Sequence, residues 1–159
     1  MSNSQTYFKP DDCAAAMAQA EARYAKLLLV VGRSGAGKTA MLRTVAKQSE
    51  IPLLNLGVEL SQRLLPLTTR DRKLRAADLI ADLFDETGAP RVAVDNTEII
   101  FDPGLAMNPD GLLQTLSRTR LLMWSWNGKV EDGHVIYAEP GHPEYHRVSA
   151  DNMTLITVE

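Results

Sequence analysis

One short segment of this chain has the residue types and the spacing of a phosphate-binding loop. It fits the pattern G-x-x-x-x-G-K-[ST] at every required position, and its glycines let backbone N–H groups curl around phosphate oxygens without Cβ clashes. Lys38 is predicted to reach the β- and γ-phosphates of a nucleotide, and the Thr39 hydroxyl is predicted to bind Mg²⁺. The predicted nucleotide-binding residues, together the glycine-rich loop, are Gly32, Arg33, Ser34, Gly35, Ala36, Gly37, Lys38 and Thr39.

Two acidic residues further along the chain are candidates for the metal and for catalysis. Asp95 follows an apolar strand-like run, and we predict that it completes the Mg²⁺ shell; the alternative is a strand-end aspartate that caps a turn. Hydrolysis also needs a group that orients the attacking water. Glu98 is our candidate if the chain coils at Asn96, which stands directly after Asp95 where many P-loop nucleotidases have glutamate. Otherwise Glu98 is a solvated surface acid.

Two further side chains are candidates for contact with the γ-phosphate. Asn127 follows a strand-like run and is predicted to sense this phosphate, with Ser125 as the fallback, although Asn-Gly is equally a tight-turn dipeptide. Arg118 and Arg120 close a predicted helix over residues 109–119. Arg118 is the preferred arginine finger, acting in the site of a neighbouring subunit; the alternative is compensation of the helix dipole.

The elements that must position these residues alternate between strands and helices. The apolar run 27–31 predicts a buried parallel strand before the loop, and helical spacing continues to about residue 49. The spacing also predicts a helix that starts near Pro10, with one apolar face formed by Cys13, Met17, Ala20 and Tyr24. Further strands are predicted over 51–56, 92–95, 121–126, 135–137 and 155–158, and further helices over 58–65, around 76–84 and over 109–119.

This order predicts a three-layer α/β fold with a mainly parallel sheet. We expect one P-loop nucleotidase domain over residues 1–159, with an N-terminal helical extension over 1–25 and β segments over 129–159.

Composition limits the classes of partner. The chain has 159 residues, 45% of them apolar, and a net charge of −3 with no dense block of lysine and arginine. Autonomous binding to nucleic acid is therefore not indicated, although binding to DNA through a partner or an oligomeric ring stays open. The lone Cys13, the lack of a signal-like N-terminus and the lack of a membrane-spanning apolar run predict a cytoplasmic protein.

Two other patterns are interpreted as structural. His142 and His146 have a metal-like spacing, but Pro143 disfavours a helix there, so we predict a surface hairpin and no metal site. Trp124 and Trp126 share one strand face and are interpreted as core or interface aromatics.

Several segments together resemble the BrxF family, the small P-loop proteins of type III BREX bacteriophage-exclusion systems. The similarity spans residues 27–147, and the segments 95–103 and 137–143 make it specific. The matching segments are 32–39, 55–61, 95–103, 116–118, 126–128 and 137–145.

The resemblance implies a bacterial, cytoplasmic defence protein with an AAA-like nucleotide-binding core. It would act beside a DNA methyltransferase, an alkaline-phosphatase-like protein and a large ATPase. We expect no helical lid domain after residue 159, which would depart from the broader AAA pattern.

The function we expect is binding of Mg-ATP with slow hydrolysis, in a homo-oligomer that switches assembly of a defence complex. One alternative is a nucleotide-binding scaffold that does not hydrolyse ATP, which Asn96 and the missing lid favour. A small-molecule kinase is less favoured, because Arg147 is the one arginine over residues 133–152 and a phosphoryl clamp needs several. The preferred base of the nucleotide stays open.

Overall fold

The computed structural model describes residues 7–159, so the first six residues of the expected N-terminal extension lie outside the described part of the chain. Six parallel strands form the main sheet, in the order β1-β9-β2-β5-β4-β3. All six residues of β2 are buried, as expected for a strand covered on both faces. The strands of the described part of the chain are β1 Tyr7–Phe8, β2 Leu27–Gly32, β3 Leu53–Asn55, β4 Arg91–Asp95, β5 Leu121–Asn127, β6 Lys129–Glu131, β7 His134–Tyr137, β8 His146–Ser149 and β9 Thr154–Thr157.

Within residues 7–159, five α-helices connect the strands, and short 3-10 turns precede α1 and follow β4. The side chains of Asn55, Thr68 and Asn108 accept hydrogen bonds from the first turns of α3, α4 and α5, so local sequence sets where these helices begin. The helices are α1 Cys13–Glu21, α2 Lys38–Gln48, α3 Leu56–Leu64, α4 Thr69–Thr87 and α5 Pro109–Leu116. None of the helices in residues 7–159 has the length and apolarity needed to cross a membrane.

The helices cover both faces of the main sheet and so form three layers. Alternate residues of each strand point to opposite faces. Leu28 and Val30 of β2 pack with α1 and α2, whereas Leu27 and Leu29 pack with α3, α4 and α5. The prediction of an α/β fold with a mainly parallel sheet is confirmed.

The segment between β5 and β9 differs from a simple continuation of that sheet. Strands β6, β7 and β8 form a separate antiparallel sheet, the meander. Val135 and Val148 of the meander join the core on the same face as α3, α4 and α5. The sequence predicts β structure over residues 129–159. Of the strands β6 to β9 in this segment, only β9 pairs within the main sheet.

Local boundaries differ from the sequence prediction at three places. Tyr24 is 81% exposed, because α1 ends at Glu21 before the apolar face reaches it. Leu56 begins α3 instead of ending β3, because Asn55 caps the helix. The predicted helix 109–119 ends at Leu116, after which the chain turns towards β5.

Candidate functional site

The candidate site lies at the carboxyl edge of the main sheet, where β2, β5 and β4 end side by side. The glycine-rich loop leaves β2 at Gly32, which is paired in register with Asn127 at the end of β5. Asp95 ends β4, on the other side of β5. Because ligands of parallel α/β sheets bind at this edge, the topology brings the predicted phosphate, metal and sensor residues to one place.

The backbone of the glycine-rich loop borders an open space. Gly35 and Gly37 have φ values of 84° and 106°, which residues with a Cβ rarely adopt, and a Cβ at either position would meet open space. Helix α2 begins at Lys38, directly after the loop. The N–H groups of its first turn therefore face the space over the loop, where a helix favours negative charge.

The side chain of Lys38 folds back onto the glycine-rich loop. Its side chain is buried, and its ammonium group donates hydrogen bonds to the carbonyl oxygens of Gly32 at 2.8 Å and Arg33 at 2.7 Å. Burial lowers the pKa of Lys38, and the nearby carboxylates of Glu98 and Asp95 oppose that shift. The lysine therefore has a charged, acceptor-rich environment in which incoming phosphate oxygens can replace the two carbonyls.

The two predicted metal ligands lie in direct contact. The Thr39 hydroxyl donates a hydrogen bond of 2.6 Å to a carboxylate oxygen of Asp95, across 56 positions of sequence. Residues 7–159 hold no cluster of three or more histidine, cysteine or acidic side chains that could bind a metal. A hydroxyl and one carboxylate fit Mg²⁺, which keeps several waters and takes further oxygens from phosphates.

Glu98 faces the site and is not a free surface acid. It begins a 3-10 turn, Glu98–Phe101, and its carboxylate accepts a hydrogen bond from the side-chain amide of Asn127. The preceding Thr97 is buried and donates to the carbonyl oxygen of Ser125 at 2.5 Å, which fastens the turn to β5. Glu98 and Asn127, predicted separately, therefore form one unit.

Asn96 has a different role from the glutamate found at this position in many nucleotidases. Its backbone is left-handed, with φ of 53°, and its amide donates to the Asn55 side chain at 2.8 Å. Its carbonyl accepts from the N–H of Gly57, where any Cβ would collide with the Asn96 side chain. Asn96 thus joins the end of β4 to the start of α3, and the chain coils there as the Glu98 prediction required.

These side chains surround one cavity of about 460 Å³, within the size range of small-molecule sites. Its walls include the glycine-rich loop, Asp95, Glu98 and Asn127. Arg43 also lines it, although the sequence reasoning did not select this residue. The sequence could have indicated Arg43, because it lies one helical turn after Thr39 and therefore on the same face of α2.

Arg118 lies away from this cavity. It precedes β5 and so stands near the amino end of the sheet, whereas the glycine-rich loop is at the carboxyl end. Its guanidinium lies 5.7 Å from the ring centroid of Tyr24. Arg118 therefore does not line the candidate site of its own chain. It lies directly after Ser117, the C-cap of α5, so compensation of the helix dipole stays an alternative.

Two pairs of residues were interpreted as structural from the sequence: Trp124 with Trp126, and His142 with His146. Trp124 and Trp126 are fully buried in the core. His146 lies in β8, and His142 lies in the turn that precedes it.

Comparison with known proteins gave no match: no protein-family description, no curated protein and no solved structure is similar enough to this chain to be reported.

Proposed function

We propose that this protein is a P-loop nucleotidase that binds Mg-ATP and hydrolyses it slowly to ADP and phosphate. The observation that carries the proposal is the contact between Thr39 and Asp95, which places two Mg²⁺-type ligands beside the buried Lys38. Three separate segments of sequence supply the loop, the acid and the Glu98–Asn127 unit, and the fold brings them to one cavity. A coincidental glycine turn would not require this convergence.

Each residue has a role in this proposal. Backbone N–H groups of the loop and the Lys38 ammonium bind the β- and γ-phosphates, and Thr39 and Asp95 hold Mg²⁺, which supplies positive charge to the phosphate oxygens. Glu98 orients a water whose oxygen bonds to the γ-phosphorus while the bond to the β–γ bridging oxygen breaks. The water proton passes to the Glu98 carboxylate and then to the released phosphate.

The first test is nucleotide binding by the Lys38→Ala variant. We expect calorimetry to show Mg-ATP binding by the wild-type protein and a loss of at least about 100-fold in affinity in the variant, equivalent to about 2.7 kcal/mol. Arg43→Ala is a matched control for removing a cation from the same cavity without removing the loop contact. Normal ATP binding by Lys38→Ala would refute the proposal.

A scaffold that binds ATP without hydrolysing it is the second candidate. The contact between Glu98 and Asn127 favours it, because one carboxylate oxygen is already engaged by a protein donor. The discriminating measurement is phosphate release by the wild-type protein and by Glu98→Gln. Release that collapses in Glu98→Gln supports hydrolysis, whereas equal release from both, with ATP still bound, supports the scaffold.

The biological setting is proposed from the resemblance to the BrxF family alone. We propose an oligomer that acts with other BREX proteins in the bacterial cytoplasm, with Arg118 reaching a neighbouring site. Light scattering with and without Mg-ATP measures assembly. Phosphate release per protomer should rise with protein concentration in the wild type and remain flat in Arg118→Ala. A monomer at all concentrations, with constant specific activity, would contradict the arginine finger.

A further inference from the structure

A second cavity lies next to the phosphate cavity, at the same edge of the sheet. Its volume is about 500 Å³, and no residue lines both cavities. The glycine-rich loop contributes to each: Ser34, Gly35 and Gly37 face the first cavity, and Arg33 and Ala36 face the second. A ligand that lies across the loop would therefore enter both spaces.

The second cavity has walls from three distant segments that are tied together through the main chain. The N–H of Gly128, before β6, donates to the carbonyl of Gly32 at 3.0 Å, and the N–H of Val158, after β9, donates to Val31 at 2.8 Å. A Cβ at Gly32 would lie 2.5 Å from the carbonyl oxygen of Val158, so glycine permits this close approach. The walls are therefore built into the fold.

The chemistry of these walls differs from that of the phosphate cavity. Ala36, Val130 and Val158 give it apolar surfaces, whereas Arg33, Lys129 and Glu159 bring charges of both signs to its lining. Lys129 is already paired with Glu131 at 2.9 Å. Apolar walls with a few polar groups are typical of small-molecule sites. A nucleotide base has π faces and hydrogen-bonding edges, so its chemistry suits such walls.

We infer that the second cavity binds the base of the nucleotide whose phosphates occupy the first cavity. The inference rests on the proposed function, because it requires phosphates on the glycine-rich loop. The base lies between the apolar side chains of Ala36, Val130 and Val158, so part of the affinity for ATP comes from the meander and from the segment after β9.

The test compares ATP with inorganic tripolyphosphate, which has the phosphates and lacks the base. Calorimetry in Mg²⁺ is applied to the wild type, to Val130→Phe and to Val158→Phe, which add a ring to the cavity from two different lining segments. Ser149→Phe, at an exposed position of the meander, controls for the added ring. Circular dichroism checks folding, and either cavity variant suffices if the other unfolds.

We expect the wild type to bind ATP at least about tenfold more tightly than tripolyphosphate. Each cavity variant should lose at least about tenfold in ATP affinity and keep its tripolyphosphate affinity, while Ser149→Phe keeps both. Equal wild-type affinities for the two ligands, or unchanged ATP affinity in a folded cavity variant, would overturn the inference and leave the proposed function intact. Binding of neither ligand by the wild type would overturn the proposed function itself.

Discussion

The aromatic side chain of Phe101 connects the candidate catalytic turn to the core, and its removal should affect both stability and turnover. Phe101 is 3% exposed and ends the 3-10 turn that Glu98 begins. Its ring stacks on Tyr137 of the meander, with centroids 3.8 Å apart, and meets Trp126 of β5 edge-on at 5.2 Å. The edge-on contact with Trp126 is a favourable aromatic geometry, and the close stack on Tyr137 adds buried contact area.

The expected cost of Phe101→Ala follows from this burial. Truncation of a buried phenylalanine costs about 3–5 kcal/mol, and the two aromatic partners place Phe101 near the middle of that range or above it. For a domain of this size, a loss of about 4 kcal/mol lowers Tm by about 8–16 °C. Phe84→Ala is the matched control: Phe84 is 1% exposed, and its partner Trp124 lies 6.4 Å away, outside the candidate site.

Two measurements separate the effect on stability from the effect on turnover. Calorimetric melting gives the stability, and phosphate release, measured well below both melting temperatures, gives the turnover. Both variants should lose comparable stability, but only Phe101→Ala should lower turnover, because it releases the turn that holds Glu98. A change in Tm of less than about 4 °C in Phe101→Ala would refute the packing argument. Equal losses of turnover in the two variants would refute the link to the site.

Three further substitutions test other contacts. Gly32→Ala should destabilise the fold by about 1–3 kcal/mol, because the new Cβ would lie 2.5 Å from the Val158 carbonyl oxygen; an unchanged Tm would contradict this. Asp95→Asn keeps an acceptor for the Thr39 hydroxyl and should preserve Tm, yet it should weaken Mg-dependent ATP binding by at least about tenfold; retained Mg²⁺ dependence argues against the metal role. Thr68→Ala removes the cap of α4 and should cost about 1 kcal/mol in chemical denaturation, whereas no loss would mean that the cap contributes nothing.

The sequence was sufficient to predict that the glycine-rich loop and Asp95 lie at one edge of the sheet, because parallel strands have a fixed polarity. Once β2 and β4 are recognised as parallel strands, their carboxyl ends must meet at one edge. This rule brings Asp95 to Thr39 without any knowledge of side-chain contacts. The same rule places Asn127 at that edge, although it does not say which residue the amide contacts.

The sequence pattern does not predict which distant segments pair with each other as strands. The β segments over 129–159 look alike locally, yet the meander forms its own sheet and β9 joins β2. The ends of α1 and α5 were predicted too late because helical spacing continues in the sequence beyond Glu21 and Leu116. Contacts between distant residues, such as the hydrogen bond from the N–H of Lys26 to the carbonyl oxygen of Ser117, are not contained in local periodicity.

The contact between Asn127 and Glu98 limits what Asn127 can do in the proposed hydrolysis. A carboxylate only accepts hydrogen bonds, so the amide nitrogen of Asn127 must face Glu98. That nitrogen carries two hydrogens, and one contact with Glu98 leaves the second for a phosphate oxygen in the same cavity. In the proposed function, Asn127 would therefore hold Glu98 and contact the γ-phosphate at once.

This geometry predicts that Asn127→Ala lowers turnover by a factor of about 10–100 and changes ATP affinity by less than about threefold, because the loop and Lys38 keep most of the phosphate contacts. Asn127→Asp should be more harmful, since it places a second carboxylate against Glu98. Single-turnover kinetics, with the protein in excess over Mg-ATP, measures the chemical step apart from product release. A faster step in Asn127→Ala would mean that the amide restrains Glu98 in an unproductive position, and the scaffold reading would then gain support.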